Sequence, residues 1–330
     1  MIHLRIVAPE SIADEAVALL EGDESVINVV RLPGVALKPA GDMVLCDVAH
    51  EDASVVVADL RQLGIPECGS IALEEIDTEV SAAGDRAVRL ARGDPADAVV
   101  WEQVEARTSE SVTLSATYLV FMALAALIAG VGIFLDSPIL VIGGMVVGPE
   151  FGPIAGFCVA AVQRRPGLAL RGGLALLIGL SVAVTASLLA AATFRATGIT
   201  PQTFTQADHD LAAIIANPDL LSFFVACCAG IAGVLSLSTQ KSSALIGVVI
   251  SVTTLPAAAN IGIALTYGDG GSLRGSLAQL ALNITGILLA GLVTLAAQRL
   301  LYLRRWKRHR RETGASRATA VPSTPAGSRS

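Results

Sequence analysis

Little in this chain could carry out hydrolysis or hold a metal ion. The sequence has four histidines. His3 and His50 lack a Cys or a second His at ligand spacing, and beyond residue 110 only His209 and His309 occur. The membrane half lacks a His-Glu-x-x-His helix, a Gly-x-Ser-x-Gly turn and a paired Asp, so intramembrane hydrolysis has no visible machinery there. The expectation is a non-enzyme without metal or cofactor. Cysteines number five, and Cys46, Cys68, Cys158, Cys227 and Cys228 show no metal-ligand spacing. At least three fall in apolar stretches, where a small hydrophobe fits, so no disulfide framework is expected. The opening run Met1 to Val7 lacks a basic leader, a long apolar core and a small-residue cleavage site, so no cleaved signal peptide is expected. Charge is scarce too. Charged residues make up 16% against 53% hydrophobic, with a mean hydropathy of +0.65, which excludes an ordinary soluble fold and points to an integral membrane protein.

The charge that is present is unevenly divided. Residues 1–110 contain 8 Lys/Arg against 22 Asp/Glu, and residues 111–330 contain 15 against 7. The net charge of −6 therefore describes neither part, and no nucleic-acid partner follows from it. The expected fold class is α+β, with an N-terminal domain at 1–77, a linker and amphipathic or stalk helix at 78–111, a membrane domain at 112–303 and a basic tail at 304–330.

Residues 2–77 alternate between period-2 and period-3.6 patterns. Ile2 to Ala8 reads as a strand, Glu10 to Leu20 as a helix and Val26 to Leu32 as a second strand ending before Pro33-Gly34. Met43 to Val48, Glu51 to Leu63 and Ser70 to Ile76 repeat strand, helix, strand, and Ala53, Val56, Val57, Leu60 and Leu63 share one helix face. The resulting βαββαβ order is that of a ferredoxin-like sandwich, similar to the ACT-type domains that bind small ligands or pair with one another. Fold alone does not decide between ligand sensing and oligomerisation. Residues 78–93 read as a polar linker, after which Asp94 and Pro95 supply a cap and first-turn proline for a helix to about Ser109.

Six stretches are long enough to cross about 30 Å of hydrocarbon: Val112 to Leu135, Ser137 to Val162, Leu168 to Phe194, Leu220 to Leu237, Ser243 to Tyr267 and Leu277 to Leu303. Arg164 and Arg165, Lys241, and the run Arg304, Arg305, Lys307, Arg308, Arg310 and Arg311 follow alternate spans, so these loops are expected to be cytoplasmic. Both termini are then cytoplasmic, in a multi-pass protein of the cell membrane. The tail beyond Glu312 has the composition of a disordered segment.

The second span is interrupted. Gly148, Pro149, Glu150, Gly152 and Pro153 lie near its middle, and the backbone groups freed by proline must face protein or a water-filled cavity. A carboxylate at this depth costs about 2.5 to 3.5 kcal/mol on insertion scales, which makes a functional role for Glu150 the leading reading. The alternative is that it is protonated, or caps the half-helix that follows. Three spans later, Thr253, Thr254, Pro256 and Asn260 form a comparable interruption. Paired breaks in two inverted three-helix repeats would mark a shared midplane site for a small solute or ion. Gly148, Gly152 and Gly156 recur every fourth residue and serve close helix packing equally well. Asn283, Cys227 and Cys228 are read as packing residues.

Leu135-Asp136-Ser137, followed by the run from Val141 to Pro153, resembles the signature of bacterial membrane proteins grouped as domain of unknown function 389. That resemblance implies an N-terminal ferredoxin-like region ahead of a hydrophobic domain, and it supplies no substrate. Two functions follow as expectations. One is a transporter or channel with a cytoplasmic regulatory domain. The other is a membrane-anchored sensor or assembly scaffold without transport. Under either, the expected partners are the lipid bilayer and, from the small-residue faces and the soluble domain, further copies of the chain in a homo-oligomer.

Overall fold

The computed structural model describes residues 1–76, 78–91, 101, 104, 108, 113–205, 209–238 and 243–319, with backbone alone for 238, 243–253 and 305–319. The chain forms two compact units, one of residues 1–102 with 298–330 and the other of residues 103–297.

The first unit contains β1 (Ile2–Ala8), α1 (Glu10–Glu21), β2 (Val26–Leu37), β3 (Ala40–Val48), α2 (Ala53–Gln62), α3 (Ile65–Cys68), β4 (Ser70–Glu75) and α4 (Ala82–Leu90). The sheet runs β2-β3-β1-β4, and every described pairing is antiparallel. This is the split βαβ arrangement that the alternating pattern implies. Ile2, Leu4 and Ile6 alternate onto the covered face of β1, where they meet Ala16 and Leu20 of α1 and Val56, Val57 and Leu60 of α2. Truncating such a fully buried leucine costs about 2 to 5 kcal/mol.

β2 corrects the expectation that Pro33-Gly34 ends a strand. The strand runs on to Leu37, and β3 starts at Ala40 rather than Met43. β2 lies at the sheet edge, and its register with β3 shifts between Leu32 and Ala36, where a proline lacking an N–H is tolerated. Gly34, at φ +65°, donates its N–H to Asp42 Oδ1 at 2.9 Å. Arg31 closes the same bulge on Asp42 Oδ2 from Nε at 2.8 Å and from Nη2 at 2.7 Å. Led by the Gly34 amide, these donors hold the Asp42 carboxyl below the usual carboxylate range.

The polar linker is corrected as well, because residues 82–90 form α4, capped where the Gly84 N–H donates to Ser81 Oγ at 2.7 Å. The cap assigned to Asp94 and Pro95 lies outside the described residues, although Trp101, Val104 and Thr108 are helical. The Trp101 N–H donates to Ser54 Oγ at 3.0 Å, and its ring lies 6.3 Å from that of Tyr302.

His50 sits 3.6 Å from Glu75 and has a buried Nδ1 without a hydrogen-bond partner among the described residues. Burial pulls its pKa below the ordinary 6.5, outweighing the opposing pull of Glu75. The unfolded chain therefore binds the proton more readily than the folded one. This contribution to stability is present above about pH 6.5 and is lost as pH falls towards the lower folded value. Hydrogen exchange of the β1 and β4 amides, corrected for intrinsic rates, should show protection rising from pH 5 to pH 7, and His50→Gln should flatten that rise.

The second unit is helical: α5 (Ala116–Phe134), α6 (Pro138–Val147), α7 (Phe151–Val162), α8 (Pro166–Ala196), α9 (Asp210–Ile215), α10 (Leu220–Ser238), α11 (Ser243–Tyr267) and the first part of α12 (Gly270–Thr319). α5, α8, α10 and the described apolar part of α12 are each long and apolar enough to cross a membrane, and the bent pair α6 and α7 makes up to five. α12 continues as helix to Thr319, so the tail expected to be disordered beyond Glu312 is helical for seven further residues. Small residues let these helices approach closely. A Cβ on Gly144 would lie 2.8 Å from the Ala125 carbonyl of α5, and one on Gly262 of α11 would lie 2.6 Å from backbone atoms of α8.

Candidate functional site: a buried carboxylate at a broken helix

α6 and α7 are separated by three residues and bent by 52°. The cause is local. Pro149 has no N–H to continue α6, the residue before it is pushed out of the helical region, and Gly148 is extended at φ −68°, ψ 124°. Glu150 then occupies the N-cap position of α7, where its backbone carbonyl accepts the Ile154 N–H at 3.3 Å. Its side chain makes no cap bond, so the reading of Glu150 as a side-chain cap for α7 is corrected.

Pro153 is not part of the break. It is the third residue of α7, in a first turn whose amides have no intrahelical acceptor, so its missing donor costs nothing there. Gly152 lies beside it in α7. Gly148 lies in the break, and the expected Gly148, Gly152 and Gly156 face is therefore not one continuous helix surface.

Glu150 is fully buried, 0% exposed, and so is Thr254 of α11. The Thr254 hydroxyl donates to Glu150 Oε1 at 3.1 Å across 104 residues of sequence. The two predicted segments thus meet at this pair. The same unit has one apolar core to which α5, α6, α7 and α11 all contribute, with Tyr118, Met122, Met145, Ile154, Leu255 and Ala258 among its members.

The rest of the predicted constellation is divided. α11 is continuous helix through Pro256, so the expected second interruption, and with it the paired break, is corrected. Residues 254 and 256 point about 200° apart around a helix. Thr254 faces Glu150, and Pro256 lines a separate cavity of about 290 Å³ together with Ile215, Asp219, Val225 and Gln279. Glu150 is not among that cavity's lining residues. Asn260 is fully buried and donates from Nδ2 to Ser272 Oγ at 3.0 Å and Ser276 Oγ at 2.8 Å of α12. The Thr253 side chain lies outside the described residues.

Sequence reasoning misses Ser272 and Ser276, which precede the span expected from Leu277, and Gln279, a single polar residue in an apolar run inside it. Their spacing held the signal. With Asn283 they recur at i, i+4, i+7 and i+11, one stripe of α12, and all four are buried. Asn283 was read as packing, and it accepts from Gln279 Nε2 at 3.4 Å.

Asp136 serves an anchoring role. Standing at φ +47° between α5 and α6, it accepts the Leu211 N–H at 3.1 Å and pairs with His209 Nδ1 at 3.0 Å. His209 stacks on Phe204 at 4.1 Å, beside Tyr267 and Arg195. Asp208 lies outside the described residues. Among the described residues, no three His, Cys, Asp or Glu side chains are grouped to hold a metal.

Long apolar helices with a buried carboxylate among them, following a four-stranded antiparallel sheet unit in sequence, define the class as a multi-helix membrane protein with an N-terminal α+β unit. Residues 145–289 match the family model described as domain of unknown function (DUF389), so the resemblance carried by the Gly-Pro-Glu-Phe-Gly-Pro motif is borne out over that segment. An uncharacterized protein of Methanocaldococcus jannaschii is 26% identical over 210 residues, which cover 64% of this chain and 63% of that relative. The chain thus aligns with less than two thirds of its relative's length, and because the relative is archaeal, a purely bacterial grouping is too narrow. No solved structure matches.

Proposed function

We propose that the protein is a non-enzymatic transporter or channel for a small solute or ion, with Glu150 and Thr254 as its central site and the N-terminal unit as a cytoplasmic regulator. One observation carries the reading: a carboxylate with no exposed surface, bonded by a hydroxyl from a distant helix, at a 52° break in an apolar helix pair. Lipid-embedded backbone is irregular only where protein or a cavity receives it, and ionisable groups at that depth mark solute or proton pathways. The reading includes six spans, with α11, whose 25 residues contain no charged side chain, as the sixth. It also places both termini in the cytoplasm of a cell-membrane protein, as the basic loops require. In liposomes, the purified protein should show flux of at least one member of a panel of inorganic ions, organic acids and amines, above protein-free vesicles. No flux across the whole panel sinks the reading.

A specific feature favours assembly as a second reading. Edge strand β2 exposes Val35 and Leu37, the latter 89% exposed, next to edge backbone that has no further strand partner among the described residues. An ACT-like domain could pair through such an edge and make the protein a homo-oligomeric sensor or scaffold. Replacing Val35 and Leu37 together by Lys should then lower the detergent-solubilised oligomer by light scattering. An unchanged mass removes this support.

A further inference from the structure

The cavity lined by Pro256 is chemically distinct from the Glu150 site and lies on the opposite side of α11. Its walls are mostly apolar, with Ile215 and Val225 among them, and its polar groups are few: Asp219, Ser222 and Gln279. Asp219 stands just before α10 and accepts the Ser222 N–H at 2.7 Å. The Ser222 hydrogen bonds hold its carboxyl below the usual carboxylate range, so it is anionic at neutral pH.

Gln279 supplies the second polar group. It is only 8% exposed, it lines the cavity, and its Nε2 is turned to Asn283, which leaves its buried Oε1 without a hydrogen-bond partner among the described residues. Asn260, one turn along α11 from Pro256 and on the same side, repeats the arrangement. Its Nδ2 is committed to Ser272 and Ser276, and its buried Oδ1 has no partner among the described residues. A buried acceptor left unmade costs about 1 to 3 kcal/mol, so a side chain held this way is poised for a donor.

We infer that this cavity is a binding site for a small organic cation, an alkylammonium whose N–H groups reach the Asp219 carboxylate and the Gln279 side-chain carbonyl while its hydrocarbon body lies against Ile215, Val225 and Pro256. A carboxylate and an amide oxygen both accept hydrogen bonds, which suits a group that only donates. The apolar walls select against a fully hydrated inorganic ion, and about 290 Å³ accommodates an amine of a few carbons. The site is independent of the transport reading, because it shares no lining residue with the Glu150 and Thr254 pair.

The test uses full-length protein in detergent, with n-butylammonium chloride as the probe and sodium chloride and n-butanol at equal concentrations as controls. Butylammonium should bind saturably by calorimetry, with a dissociation constant on the order of 1 mM for so small a ligand, and raise the thermal midpoint. Asp219→Asn and Gln279→Leu should each weaken binding at least tenfold, and Gly270→Ala, which does not line the cavity and has nothing within 4 Å of the added carbon, should leave it unchanged. If a variant fails to fold, Asp219→Glu serves as the folded comparison and should retain binding within threefold. The proposal is overturned if wild-type protein shows no saturable binding, if sodium chloride or butanol gives the same shift, or if both site variants bind as wild type.

Discussion

Glu150→Gln is expected to lower solute flux in liposomes at least tenfold while the protein still folds. The replacement keeps the side chain's shape, and its amide oxygen can still accept the Thr254 hydroxyl that now lies 3.1 Å from Glu150 Oε1. The bend between α6 and α7 is set by Pro149 and extended Gly148, so it survives. Only the ability to take up and release charge is lost, and the thermal midpoint should move by no more than the few degrees that correspond to about 1 kcal/mol. Thr254→Val does the reverse. It leaves the carboxyl in place, removes a hydrogen bond from a fully buried polar group and should cost about 1 to 3 kcal/mol of stability. Wild-type flux in Glu150→Gln would show that the carboxyl only holds the break together.

The second large effect is expected at Gly262. A Cβ there would lie 2.6 Å from both the Leu188 amide nitrogen and the Val184 carbonyl oxygen, backbone atoms that cannot swing aside. The same crossing is pinned by Ser187, whose hydroxyl donates to the Ala259 carbonyl at 2.7 Å, and by Thr266, which donates to the Leu188 carbonyl at 3.2 Å. Gly262→Ala should therefore cost about 1 to 3 kcal/mol through overpacking, and Gly262→Leu should prevent the native crossing of α8 and α11. Gly270→Ala, where nothing lies within 4 Å of the added carbon, is the control. Thermal unfolding in detergent separates the three. A Gly262→Leu protein as stable as the control would refute the close crossing.

The alternating N-terminal pattern was legible because β1 and the first part of β3 bury every second residue, and a strand with one buried side reveals its period. β2 was less so, since a proline that stops a central strand is accommodated at an edge bulge. α4 was hidden in a polar composition, where Ser81 and a few buried positions, Gly84 and Ala87 among them, carry the whole signal. In the membrane part, Pro149 and Pro256 look alike as residues and behave differently. Pro149 follows a glycine that adopts an extended conformation, whereas Pro256 stands in a helix packed on several sides, with Leu255, Ala257, Ala258 and Ala259 all buried. Packing kept that helix whole, and a one-dimensional reading has no access to packing. The meeting of Glu150 with its partner helix was legible. The splitting of the remaining polar residues onto other faces was not, because it depends on which side of one helix each residue occupies.

That one rod presents Thr254 to the carboxylate and Pro256 to the cavity on its far side has a mechanical corollary. A roll of α11 about its own axis would displace both contacts at once, tightening one as it loosens the other. Were a ligand on one side to favour such a roll, it would change affinity on the other, and the change would be reciprocal whichever ligand arrives first.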